Sequence, residues 1–322
     1  MPTSPPKPIT MKQIAEMVNV SRPVVSAVLN GSVGAGIRVS REKQEKIIEI
    51  ARCLKYRPNP AALRLNNRYE KSIGIIGSCL MLDIRAEMLR QLSVKLRLKG
   101  YQSYFVGVTD PKHEADTISN FMANGASGII YTSTSIGVCH DECPVPIVAA
   151  MEALENVEII TDQERSFYTI SRHMLDHGYR KVGFLCMQQW YSHIKYDGYC
   201  RALIENGIEP QKEWLVELTW NASFDAQLRR LIDHDGVRAF VCISDRIAAK
   251  FMVWLTKNGY RIPEDIALIS YDGTEMANVA LCSLSTAVQP VSQMVDMMID
   301  LMMKKIETKQ LSRLEQPILL ES

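Results

Sequence analysis

Arg22, Pro23, Ser26, Ala27 and Asn30 share one arc if the chain there turns by roughly 100° per residue, and Val24, Val25, Val28 and Leu29 fill the opposite arc. The apolar arc must be buried. The other arc is small and polar, with one guanidinium, and that set suits contact with nucleic acid. Hydroxyls and amides can bond phosphate oxygens, and a planar guanidinium can read guanine with two bonds. A small solvated helical hairpin would show the same two arcs, so the reading depends on what surrounds the segment. Two other groupings invite chemistry and fail on spacing. Cys139-His140-Asp141-Glu142-Cys143 brings two thiols and an imidazole together, but no second pair completes a tetrahedral zinc set, so a loop with reduced thiols is expected. Gly34-Ala35-Gly36 has no strand before it and no third glycine opening a helix, so it is not a nucleotide fingerprint.

The polar arc belongs to the second of two short helices. Thr10 can cap the first, with Gln13 reaching back in a capping box, and Ile14, Ala15 and Val18 give it an apolar side. Asn19-Val20-Ser21 breaks the pattern. Ser21 can cap the second helix, and Pro23 lies in its first turn, where a missing N–H costs nothing. A third helix starts at Ser40, and Ile47, Ile48, Ala51 and Leu54 would close a core over Ile14, Val18, Val25 and Leu29. It ends before Tyr56-Arg57-Pro58, because the residue preceding a proline avoids helical geometry. Asn59 to Arg68 is short and basic and carries two leucines. It would be marginal as a helix in water, and on DNA its arginines could meet phosphates while a leucine wedges into the minor groove. An interdomain linker whose leucines pack on the body fits the composition equally.

Charge supports a division of labour. Residues 1–71 carry 13 Lys and Arg against 5 Asp and Glu; the remainder carries 24 against 31. A basic head on an acidic body implies that the head meets a polyanion. The hydrophobic content of 47% is that of a globular chain, and no apolar run approaches the ~20 residues that span a bilayer. The amino terminus also lacks a signal-peptide apolar core, which points to the cytoplasm.

From Lys71 the texture changes to strands alternating with helices. The strand-like runs are 72–77, 101–108, 128–133, 146–151, 158–161, 181–186, 215–220, 239–244 and 266–272. That alternation implies parallel sheets in two doubly wound subdomains, with ligands at the carboxyl ends of the strands. The stripe of Met294, Met297, Met298, Met302 and Met303 belongs to a carboxyl-terminal helix, for core or dimer packing.

Read together, MKQIAEMVNVSRPVVSAVLNG, VSREKQEKIIEIARCLKYRPN, the SIGII strand, ISRHMLDHGYRKVGFL, YDGYCRAL, GYRIPEDIALISYDG and SLSTAVQP resemble the LacI/GalR family of transcription regulators over nearly the whole chain. Residues 1–9, rich in proline, are expected to be a disordered tail; the resemblance implies a small all-α helix-turn-helix domain (10–57), then a hinge helix or linker (58–70). An α/β two-lobed, periplasmic-binding-protein-like body (71–322) follows. Its N-subdomain covers about 71–160 and 289–322, and its C-subdomain about 162–288. It also implies a homodimer on a near-palindromic operator, repressor-type control and a small-molecule effector between the lobes. No cofactor and no enzymatic activity are implied.

Carried over, Arg22, Pro23 and Ala27 take the base-reading positions. Thr10, Ser21, Ser26 and Asn30 take phosphate or capping positions, and Asn59, Ala62 and Leu65 take hinge contacts. The effector side is assigned Asp83, Arg85, Ser133, Lys195, Trp220, Asp245 and Asp272. This chain departs from the family at Leu82-Asp83-Ile84-Arg85, where an aromatic floor is common, and at Lys195, which replaces an arginine and loses its planar fork. Trp220 stacking plus strand-end carboxylates fits a sugar-like ligand. Core packing of Trp220 and helix or turn capping by Asp245 and Asp272 are the plainer alternatives. A transporter's solute-binding protein would share the body but not the basic head. A nucleotide-dependent dehydrogenase would need a glycine fingerprint after a strand, and none follows SIGIIG or KVGFLC.

Overall fold

The computed structural model describes residues 9–29, 33, 37, 39–54, 56, 71–78, 83–108, 110–132, 143–151, 157–187, 193–218, 225–312 and 314–321. The chain divides into two compact units, Met1–Tyr69 and Glu70–Ser322.

In the first unit the described helices are α1 (Met11–Val18), α2 (Arg22–Leu29) and α3 (Arg41–Cys53). The capping box expected of Thr10 is present. The Thr10 N–H donates to Gln13 Oε1 at 2.8 Å, and the Gln13 N–H donates to Thr10 Oγ1 at 3.3 Å. Asn19 ends α1 in the left-handed conformation, φ 52°, which asparagine tolerates better than most residues. Ser40 caps α3 through Lys43 N at 3.4 Å. Ile14, Ala15, Val18, Val25, Val28, Ile47 and Ala51 form the core. Ile48, expected in that core, is 44% exposed. Ile47 and Ala51 fix the buried stripe of α3, and Ile50 follows that stripe while Ile48 is turned away from it.

The second unit holds two parallel sheets. The first has strand order β11-β5-β4-β3-β1-β2, from β1 (Lys71–Ser78), β2 (Tyr101–Val108), β3 (Ala126–Tyr131), β4 (Ile147–Met151), β5 (Ile159–Thr161) and β11 (Ile318–Leu320). The second has order β10-β9-β8-β6-β7, from β6 (Val182–Met187), β7 (Leu215–Leu218), β8 (Ala239–Cys242), β9 (Ala267–Asp272) and β10 (Ser285–Val288). The helices of the first lobe are α4 (Asp83–Leu98), α5 (Pro111–Ala123) and, from the end of the chain, α11 (Val291–Thr308). Those of the second are α6 (Gln163–Asp176), α7 (His193–Glu205), α8 (Asp225–Arg229), α9 (Asp245–Lys257) and α10 (Glu275–Val279). The doubly wound fold class expected from the alternation is the fold observed. Two strands escaped the sequence reading, β10 and β11, each four residues or fewer.

Close approach fixes the α6–α7 pair: a methyl group on Gly198 would run into the Glu164 carbonyl and the Tyr168 N–H. In the first lobe, α11 lays Met294, Met298 and Met302 into a core with Ile73, Ile130 and Val148. Among these methionines sits Lys305, fully buried, whose ammonium donates to the buried Glu158 carboxylate and, at 2.8 Å, to the Ile147 carbonyl. The same Glu158 oxygen accepts from Leu314 N at 3.2 Å. This pair ties α11 and the segment behind it to the edge of the first sheet.

Candidate functional sites

In the first unit the exposed polar edge comes from Ser21, Arg22 and Pro23 at the start of α2, with Ser26 half-buried behind them. Ser21 holds the start of α2 through its carbonyl, which accepts from Val24 N at 3.0 Å and Val25 N at 3.3 Å. Ala27, assigned to base reading, is 5% exposed, although the core of the unit is built from Val25 and Val28 of α2 and does not include it. Thr10 is exposed, and its hydroxyl is engaged with Gln13. Asn30, Asn59, Ala62 and Leu65 lie outside the described residues.

In the second unit Asp272 closes β9 with a backbone φ of 129°, a region that side-chain-bearing residues rarely enter. Its carbonyl accepts from Gln289 N at 3.1 Å, and its carboxyl Oδ1 accepts from Gln289 Nε2 at 2.8 Å, so the ends of β9 and β10 are locked together. Lys195, in the first turn of α7, lies 5.3 Å from the ring centre of Tyr271 and 5.6 Å from that of Phe167. Burial pushes the Asp272 carboxyl up to about 7, against the pull of Lys195 and of the Gln289 bond; Asp245 adds to the rise and Arg85 opposes it. Residues from both lobes therefore act on one carboxyl: Arg85 from α4 in the first, Lys195 and Gln289 around the second. Asp83 opens α4. Ser133 and Trp220 lie outside the described residues.

Asp245 has a different part from the one assigned. It is fully buried, and its carboxylate accepts from the Ser270 hydroxyl at 2.6 Å, the Thr286 hydroxyl at 2.6 Å, the Thr274 N–H at 2.6 Å and the Thr274 hydroxyl at 2.8 Å. Four donors leave it no role at a ligand. It positions the turn that follows Asp272.

A cavity of 960 Å³ lies against this turn, between the α4 face with Ile84, Glu87, Arg90 and Gln91, the stretch from Asp272 to Val279, and Gln289 with Val291. Among the described residues assigned to the effector, Asp272 alone lines it. Gln91 and Gln289 were missed. Gln289 stands next to the proline that closes SLSTAVQP, but that stretch is not among the strand-like runs, so nothing marks its end as a place for ligands.

The raised Asp272 carboxyl has a measurable consequence. The folded state holds this proton up to about pH 7, whereas the unfolded chain releases it near its ordinary value of 3.8. Stability therefore falls as pH rises through that window and is flat above it. Asp272→Asn should accordingly raise the midpoint of thermal unfolding at pH 8, and the gain should shrink toward pH 5. A gain independent of pH would show that the carboxyl is not the cause.

Two family models match the chain. One, described as bacterial regulatory proteins of the lacI family, covers residues 10–59; the other, a periplasmic binding protein-like domain, covers 171–320. Among characterised relatives, the HTH-type transcriptional repressor PurR of Mannheimia succiniciproducens is 24% identical over 317 residues, covering 94% of both chains. Catabolite control protein A of Priestia megaterium is also 24% identical, covering 88% of both. Among solved structures, the lac repressor dimer bound to operator and the anti-inducer ONPF aligns over 98% of this chain and 97% of its own, with a TM-score of 0.76 and 21% identity. The complex of the transcriptional regulator CelR with cellobiose aligns over 97% and 96%, with a TM-score of 0.63 and 21% identity.

Proposed function

We propose, from the premise that this chain belongs to the lacI family of bacterial regulatory proteins, that it is a DNA-binding transcriptional regulator, repressor-type, controlled by a small molecule. The observation that carries the DNA reading is the exposed Ser21-Arg22-Pro23 edge at the start of α2, on a head whose basic residues outnumber its acidic ones 13 to 5. Arg22 reads guanine, Ser21 and Ser26 meet phosphates, and Asn30, Asn59, Ala62 and Leu65 extend the contact along the duplex. No described helix is long and apolar enough to cross a membrane. The cytoplasm, where the DNA is, is the compartment this reading requires. Its relatives are regulators rather than enzymes, and we assign the chain no reaction of its own.

The effector sits between the lobes of the second unit, and a sugar-like polyol suits the carboxyl, amide and aromatic groups gathered around Asp272. Homodimerisation is supported by exposed apolar side chains on the second unit: Val94 and Leu98 of α4 (41% and 80% exposed), Tyr104 of the edge strand β2 (57%), and Val279 and Leu281 (66% and 64%). A symmetric pair then reads a near-palindrome.

Selecting random duplex DNA with the purified full-length protein and sequencing the bound pool tests the reading. A near-palindrome with a flexible central pyrimidine–purine step is expected; a pool without any motif would sink it. On the selected duplex, Arg22→Ala should weaken specific binding by about 1–3 kcal/mol and relax preference at one position per half-site. An equal loss on random DNA would mean that Arg22 contacts phosphate only.

A further inference from the structure

His173 and His177 stand four positions apart on one exposed helix face. His173 lies in the last turn of α6, and His177 caps its carboxyl end with a backbone φ of −83° and ψ of 9°. Residues at this spacing are neighbours on a helix surface, and two imidazoles so placed can share one metal ion. The two rings are already together, with centres 4.3 Å apart and planes inclined at 48°.

That separation has a chemical meaning. An imidazole nitrogen binds a transition metal at about 2.0–2.1 Å, and the ring centre lies about 1.1 Å further out. Two imidazoles at about 90° on one ion therefore have centres roughly 4.4 Å apart, whereas a tetrahedral angle of about 109° sets them roughly 5.1 Å apart. The observed 4.3 Å matches the first. Adjacent positions at a right angle belong to tetragonal and octahedral ions such as Ni2+ and Cu2+, rather than to tetrahedral Zn2+.

Hydrogen bonding selects the ligating atom. His177 Nδ1 is 2.8 Å from the His173 carbonyl oxygen. A carbonyl only accepts, so Nδ1 carries the proton and the lone pair of the neutral ring is left on Nε2. A carbonyl on the far nitrogen is the usual companion of a metal-bound imidazole, because it fixes tautomer and ring orientation. The neighbouring cation, Arg172, is turned elsewhere: its Nε donates to Asp176 at 3.0 Å and its Nη1 to the Tyr168 hydroxyl at 3.3 Å. The carboxyl end of a helix also favours positive charge.

We propose that His173 and His177 form a surface site for a divalent transition-metal ion of the Ni2+ or Cu2+ class, with water completing its coordination. Because α6 leads directly into β6, the pair stands at the amino-terminal edge of the second sheet, away from the strand end that carries Asp272. The ion clamps the last turn of α6 without entering the small-molecule cavity.

The test is calorimetric titration and thermal unfolding of the untagged full-length protein with Ni2+ and with Mg2+. Ni2+ is the probe because free thiols, such as that of the exposed Cys53, reduce Cu2+. Ni2+ should bind and raise the unfolding midpoint, and Mg2+ should do neither. His173→Gln and His177→Gln should each weaken Ni2+ binding by about tenfold or more and cancel the rise. His113→Gln and His234→Gln, at exposed histidines elsewhere on the second unit, should change neither. Affinity for the selected operator duplex without metal should be the same in all four variants. Absence of Ni2+ binding overturns the proposal, as does a loss in only one variant of the pair, since a shared ion needs both rings. Binding undiminished in both variants also overturns it and moves the ion to other ligands, such as the thiols of Cys139 and Cys143.

Discussion

Lys305→Met should cost the second unit about 3–5 kcal/mol, more than other single changes outside the ligand cavity. The ammonium and the Glu158 carboxylate are 0% and 1% exposed, so neither has water to fall back on. Methionine fits the volume and matches its neighbours on α11, so the loss isolates charge from packing. Removing the cation leaves Glu158 as an acid among Ile147, Ile159 and α11, with Leu314 N as its remaining donor. Chemical denaturation followed by tryptophan fluorescence would measure the cost. The double change Lys305→Met with Glu158→Leu should recover most of it, because a buried pair exchanged for apolar groups is often close to neutral. A single variant as stable as the parent would show that the pair contributes nothing.

Asp245→Ala should cost about 3 kcal/mol or more, since hydrogen bonds to a charged group count for roughly 1.5–3 kcal/mol each and four are removed together. Some of the loss is recoverable: the Ser270 hydroxyl has the Ser285 carbonyl at 3.5 Å, and Thr286 has the Ala287 carbonyl at 3.3 Å. The Thr274 N–H has no such second choice. The turn from Asp272 to Thr274 should therefore loosen, and with it one wall of the cavity. The expected signature is a lowered unfolding midpoint together with loss of the small-molecule response, while the separate head still binds its duplex. A normal ligand response in a destabilised protein would place the cavity wall outside Asp245's influence.

These two residues also show how far the sequence could be read. The strand–helix alternation, the Thr10–Gln13 box and the Met stripe of α11 are local patterns, and local patterns survive in a one-dimensional string. Asp245 was legible as a strand-end acid, but its partners stand 25 to 41 positions downstream, and nothing near it in the chain announces them. Helical phase sets Lys305 on the Met294, Met298 and Met302 stripe, but the partner that lets a lysine stay there, Glu158, stands 147 positions earlier. Helical phase gives an angle but not how far a small side chain stands out: Ala27 lies on the polar arc by phase and is 5% exposed. The cavity-lining glutamines were illegible because a glutamine carries no signal on its own; Gln91 and Gln289 acquire meaning only in one lining.

The return of the chain to its first lobe has a consequence for synthesis. The second lobe is built from one continuous run, α6 to β10, whereas the first lobe's sheet needs β11 and its methionine core needs α11. On a ribosome the lobe begun first is therefore finished last. Five of its six strands emerge with Ile73, Ile130 and Val148 still lacking the cover of α11 while more than a hundred further residues are added. The interval is a window for aggregation or chaperone capture that the finished molecule no longer displays.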